Sequence, residues 1–107
     1  MTTAIRGTSD DALRLFQEAL RSYEERRPRA KIEMYRHNSI SIRIRVIDPA
    51  FARLEKSDRH ATIWKHLETL PEEIQTDVSM LVLLTPGEVK TSMANLEFEN
   101  PSPSLIK

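Results

Sequence analysis

The clearest pattern in the chain is an alternation. In Ile40-Ser41-Ile42-Arg43-Ile44-Arg45-Val46 every second residue is apolar and β-branched. Successive side chains of a strand point to opposite faces, so this period of two predicts a strand with one buried side. The preceding run Ala30-Lys31-Ile32-Glu33-Met34-Tyr35 adds Ile32 and Met34 to the same side. The two runs predict an antiparallel hairpin with a short polar turn centred on His37-Asn38. Lys31, Tyr35, Arg43 and Arg45 then fall on the opposite, water-facing side, with Glu33 among them and Arg36 near the turn.

Upstream, the apolar spacing changes to three and four. Leu13, Phe16, Leu20 and Tyr23 recur at helical intervals, flanked by Ala12, Leu15 and Ala19. They predict a helix capped by Ser9, with Asp10 and Asp11 in its first turn, where the helix dipole favours negative charge. Arg26 and Arg27 suit its C-terminal end, and Pro28 stops it. Downstream, Asp48-Pro49 ends the second strand, and Phe51 and Leu54 anchor a connection. Ser57 is expected to cap a second helix whose apolar stripe runs through His60, Ile63, Trp64, Leu67 and Leu70. Pro71 interrupts, and residues 71–76 read as one more helical turn with Pro at its start. The short apolar run Val78-Ser79-Met80-Leu81-Val82-Leu83-Leu84 predicts a strand covered on both sides or lying beside two neighbours. Thr85-Pro86-Gly87-Glu88 breaks it, residues 88–97 read as a weak helix, and residues 100–104 carry no core-forming pattern.

The resulting order, α-β-β-α-(α)-β, predicts an α+β domain of two layers: a three-stranded sheet with its helices packed on one face. The domain is expected over residues 9–90, between a flexible arm (residues 1–8) and a poorly ordered tail (residues 91–107). The tail's spaced apolar residues, Leu96, Phe98, Leu105 and Ile106, offer it something to dock with. A chain of 107 residues fits one such domain.

Composition removes several function classes. There is no Cys, which excludes disulfides, a thiolate nucleophile and a thiolate-held zinc or iron–sulfur site. The longest apolar run, residues 80–84, is far short of the ~20 residues that cross a bilayer. No apolar leader segment is evident, so a cytoplasmic protein is expected. The only glycines are Gly7 and Gly87, too few for a P-loop, a dinucleotide loop or the GxxG loop of KH domains. The formal net charge is zero, yet residues 21–47 hold eight basic against three acidic residues, a net +5 balanced by −5 elsewhere. Such a dipolar surface steers charged partners.

Candidate chemistry is sparse. His60 and His66 are six apart on one helix and face different sides, and His37 is remote from both in sequence, so no metal site is expected. Asp58-Arg59-His60 opens a helix; Asp58 suits the dipole, Arg59 is expected to pair with a carboxylate, and His60 begins the apolar stripe as a partly buried imidazole. Glu72 and Glu73 are adjacent on a helix and do not face each other. The basic strand face, with Tyr35, Arg43 and Arg45, resembles a nucleic-acid surface but offers a single aromatic.

The segment Phe51…Arg59-His60…Trp64…Leu67, followed by Thr85-Pro86-Gly87-Glu88, resembles the BolA family, within the type II KH-like arrangement. The resemblance covers roughly residues 9–90 and rests on about six positions. It implies a non-enzymatic regulatory role and a monothiol glutaredoxin partner sharing a [2Fe-2S] cluster, ligated by a His just before the last strand. Here Asp77 stands at that position and the hairpin loop offers only His37, so the resemblance speaks for the fold more than for cluster sharing, and no cofactor is expected. The sequence thus predicts a small cytoplasmic adaptor acting through protein contacts, monomeric or weakly dimeric and without membrane contact. Its expected surface comprises Tyr35, Arg36, His37, Arg43, Arg45, Arg59 and His60. The alternatives are a nucleic-acid-binding module using the basic 21–47 surface, and an enzyme centred on His60 with Asp58 or Asp77 as its orienting carboxylate.

Overall fold

A computed structural model describes residues 3–7 and 10–103 of the chain. The hairpin forms the centre of the sheet. Strand β2 (Lys31–Asn38) and strand β3 (Ser41–Ile47) pair antiparallel, with Ile32 opposite Val46 and Met34 opposite Ile44. All four are fully buried, as the alternation requires. The turn falls on Ser39-Ile40 instead of His37-Asn38, and the register shifts between Arg36 and Asn38. The Asn38 side chain accepts a hydrogen bond from the Ile40 amide at 2.9 Å and so closes the turn itself. Ile40 is therefore 58% exposed and leaves the buried set that the alternation assigned to it.

Helix α1 (Asp11–Ala19) is capped by Asp10, whose carboxylate accepts from the Leu13 amide at 2.9 Å. Ser9, the expected cap, lies outside the described residues. The chain bends at Leu20 into α2 (Arg21–Arg26), and Leu13, Phe16, Leu20 and Tyr23 line one buried face across both helices. A 3-10 turn (Pro49–Arg53) buries Phe51. Helix α3 (Lys56–Leu67) already contains Ser57, so the cap position falls on Glu55, two residues before the expected Ser57. Its buried residues are Arg59, Ile63 and Leu67, while His60 faces solvent and Trp64 is half-buried at the margin of the core. Burying Arg59 in place of His60 rotates the expected stripe by one residue. After α4 (Glu72–Gln75), strand β4 (Val78–Leu84) runs parallel to β3.

Two features depart from the expected layering. Strand β1 (Thr3–Ile5) pairs parallel with β2, so the sheet has four strands in the order β1-β2-β3-β4, not three. Gly7 follows it with a φ of 73°, a turn conformation that a side chain would strain. Helix α5 (Met93–Glu99) packs on the sheet face opposite to α1 and α3. The helices are thus not confined to one face, and the segment expected as a tail covers the face expected to meet water. Fully burying an aromatic such as Phe98, the centre of this second cluster, stabilises by about 3 kcal/mol. Among the described residues no helix is long and apolar enough to cross a membrane.

Candidate functional site

The strand face that looked free is occupied. Arg43 and Arg45 project from β3 toward α5, and β2 places Tyr35 and Glu33 directly opposite them in the register. The α5 sequence Glu97-Phe98-Glu99 supplies the complement. Glu97 pairs with Arg43 at 2.6 Å, and Glu99 pairs with Arg45 and, at 3.0 Å, with Arg6. Glu33 bridges Arg45 and Arg6. The Tyr35 hydroxyl donates to the Phe98 carbonyl at 2.8 Å, and the guanidinium carbon of Arg45 sits 4.7 Å from the centre of the Phe98 ring. Hydrogen bonds from Ser102 and Arg43 hold the Glu97 carboxyl down at about 2, and Arg45 lowers Glu99. Arg45 is 4% exposed and Tyr35 9%, so neither is available at this surface.

The other expected site residues are also engaged. Arg36 pairs with Asp10 at 2.5 Å and with Asp77 at 3.6 Å. Arg59 is 6% exposed. It does pair with a carboxylate, Glu88 at 2.7 Å, and it donates to the carbonyls of Phe51, Leu54 and Leu83 at 3.1 to 3.2 Å. His37 stays in β2, half-buried. His60 is exposed and stacks on Trp64 at 5.6 Å, which corrects the expectation of a partly buried imidazole. The structure does not assemble His60 with a carboxylate. Asp77 is turned to Arg36, and Asp58 lines a different surface from His60, whose shallow depression against β4 has no acidic lining residue.

The residues do not fit a shared iron–sulfur cluster. Asp77 offers an oxygen donor, a poorer cluster ligand than imidazole, and it lies 3.6 Å from the Arg36 guanidinium. Among the described residues no three His, Asp or Glu side chains converge as metal ligands.

What remains open is a groove between α2 and α3. It has a volume of about 470 Å³ and is lined by Arg26, Arg27, Lys65 and His66, with Tyr23 at its base and Asp58 at its rim. A second hollow continues it past Arg53 and Phe51. Tyr23 is fixed there because its hydroxyl donates to the buried carboxylate of Asp48. Burial and that carboxylate push the Tyr23 hydroxyl well above its ordinary pKa. His66 meets the Tyr23 ring edge-on at 5.6 Å, and its Nδ1 lies 3.2 Å from the Ser22 hydroxyl. Burial, then the charges of Arg26 and Lys65, lower the His66 pKa. Among the described residues, Arg26, Arg53 and Lys65 make no ion pair. The basic 21–47 segment therefore divides in two. Its strand arginines are neutralised internally, and Arg26 and Arg27 at the end of α2 face solvent. The sequence places both groups in one basic 21–47 surface and does not show that they lie on separate sides of the fold.

No family model matches the chain, and neither a curated protein nor a solved structure does.

Proposed function

We propose that this protein is a non-catalytic adaptor of the BolA-like kind, acting through protein contacts, and that the α2–α3 groove receives an acidic segment of its partner. The observation that carries the reading is the set of uncompensated cations there: Arg26 and Lys65 line one groove and Arg53 its continuation, while the strand arginines are already paired. Each exposed ion pair with a partner contributes about 0.2–1 kcal/mol, so a few of them give transient, salt-sensitive binding with fast association. The element order, and the ion pair that joins the two motifs behind the resemblance, Arg59 and Glu88, support the fold half of this reading. A glutaredoxin-type partner is what the resemblance implies; docking at the groove would need no cluster ligand from Asp77.

The nucleic-acid alternative has less support. Tyr23, the groove's one aromatic lining residue beside His66, is 5% exposed and tied to Asp48, so no stacking platform is offered to bases. The test is a titration of the full chain with a fluorescein-labelled hexaglutamate peptide and with a labelled single-stranded hexanucleotide. The reading expects the peptide to bind in the micromolar to millimolar range, and Arg26→Ala with Lys65→Ala to abolish that binding. Tighter binding of the oligonucleotide would favour the alternative, and peptide binding that survives both substitutions would overturn the groove assignment.

A further inference from the structure

We propose that the sheet face beneath α5 is a second binding surface, built for an acidic amphipathic helix of a partner protein, and that α5 is its resident intramolecular occupant. This surface lies on the opposite side of the sheet from α1 and α3 and is independent of the groove.

The face has the anatomy of a receptor. Tyr35, Met80, Val82 and Leu84 form an apolar slot against which Phe98 is fully buried. Arg6, Arg43 and Arg45 surround the slot and take the carboxylates on either side of that aromatic. Recognition thus reads one aromatic flanked by two acids, presented on one helical turn. An aromatic anchor in a desolvated pocket, ringed by charge, is how helix-in-groove interfaces concentrate their affinity.

The occupant is short and held through few residues. Helix α5 has seven residues, below the length at which an isolated helix is stable, so its folding depends on docking. Beyond Asn95, Phe98 and the two glutamates it contributes little: Met93 is 79% exposed and Leu96 56%. The short 3-10 turn at Pro86–Glu88 and residues 89–92 tether it to β4. It also leaves the site unsaturated. The Nε atoms of Arg43 and Arg45 are buried and, among the described residues, have no acceptor. Arg45 is more than nine-tenths buried, so this is an unmet donor inside the interface. A helix carrying a further acceptor there would satisfy what α5 leaves open, and that difference allows displacement against the advantage of a tethered competitor.

The test uses the full chain and a labelled peptide of residues 92–103 as the acidic helix. In the doubly substituted chain Glu97→Gln, Glu99→Gln, the resident helix is weakened while the receptor arginines stay. This chain is expected to bind the peptide at least ~10-fold more tightly than the unsubstituted chain does, and adding Arg43→Gln is expected to reverse the gain. Circular dichroism establishes that each variant is folded. Equal peptide binding by the two folded chains, or a gain that survives Arg43→Gln, overturns the proposal. Amide hydrogen exchange on the unsubstituted chain is a second arm that needs no variant. The proposal expects the amides of residues 96–99 to exchange at least ~100-fold faster than those of β3. Exchange of both sets at one common rate would make α5 a permanent part of the core and refute it.

Discussion

Arg59 and Glu88, 29 positions apart, form a single clamp: the guanidinium meets the carboxylate at 2.7 Å, and the same carboxylate oxygen accepts the Thr85 amide at 2.8 Å. Three further carbonyls, of Phe51, Leu54 and Leu83, point at the same guanidinium. One arginine thus joins the 3-10 turn after β3, the start of α3 and the end of β4. The two motifs that carry the BolA resemblance therefore describe one structural junction. They say how the crossover is locked and nothing direct about what the protein binds.

Removing that arginine is expected to be costly. Arg59→Ala removes a buried donor from three carbonyls and from Glu88, which keeps the Thr85 amide and is itself 41% exposed, so a loss of about 2 kcal/mol is expected. Glu88→Gln keeps an acceptor for Thr85 and is expected to lose about 1 kcal/mol. Urea unfolding followed by Trp64 fluorescence measures both. A cost below that of Glu88→Gln for Arg59→Ala would show that the clamp is not a stabilising unit.

Acid should loosen α5 before it unfolds the domain. Glu97 and Glu88 are both held at about 2, Glu97 by Ser102 and Arg43, Glu88 by Arg59 and the Thr85 amide. Their folded pKa values lie below those of the unfolded chain, so the unfolded or undocked form binds more protons. The stabilisation is fully present above about pH 4.3 and is lost as pH falls toward 2. Glu33 and Glu99 are lowered as well, Glu33 because its bonds to Arg45 and Arg6 outweigh the effect of burial. Three of these four carboxylates, Glu33, Glu97 and Glu99, grip α5 or the arginines beneath it. Side-chain NMR of Tyr35 and Phe98 is expected to change at higher pH than that of Phe16. Coincident transitions would count against separate release.

How much of this was legible follows from geometry. Ile42, Ile44 and Val46 were readable because a strand's period of two leaves no other face for them. Strand β1 was not, because Thr3-Ala4-Ile5 is too short to show any period and depends on β2 as its template. Helix α5 was misread because Glu97-Phe98-Glu99 reads as soluble, and its burial requires carboxylates to meet arginines 54 positions away in sequence. The matching pattern was present, with Tyr35 and Glu33 opposite Arg43 and Arg45 on one side and an aromatic between two acids on the other, but pairing them needs the third dimension. The groove is not legible in the sequence because Arg26 and Arg27 belong to the basic 21–47 segment while Lys65 and His66 come from another helix.

Tyr23→Phe tests whether the base of the groove is rigid. The substitution removes the donor to Asp48, which is 2% exposed and also caps the 3-10 turn by accepting from the Ala50 amide at 2.9 Å. Hydrogen bonds to charged groups contribute about 1.5–3 kcal/mol, so a loss in that range is expected in denaturant unfolding. A loss below ~0.5 kcal/mol would mean that Asp48 is satisfied without Tyr23.

His66 reports on the groove directly. Its pKa lies below the ordinary value of about 6.5 because the ring is partly buried and faces Arg26 and Lys65. The unfolded chain therefore binds more protons than the folded one as pH falls through 6.5, and stability drops over that interval until pH passes below the folded value. His66→Gln is expected to flatten this part of the stability profile. An anion seated between Arg26 and Lys65 reverses the local field, so hexaglutamate binding is expected to raise the His66 pKa and to take up protons near neutral pH. NMR titration of the His66 ring, with and without peptide, measures the shift, and His60 on the solvent side of α3 serves as the internal control. A His66 pKa that stays fixed while the peptide binds would place the acidic segment elsewhere on the molecule. Equal movement of His66 and His60 would indicate diffuse screening instead of occupancy of the groove.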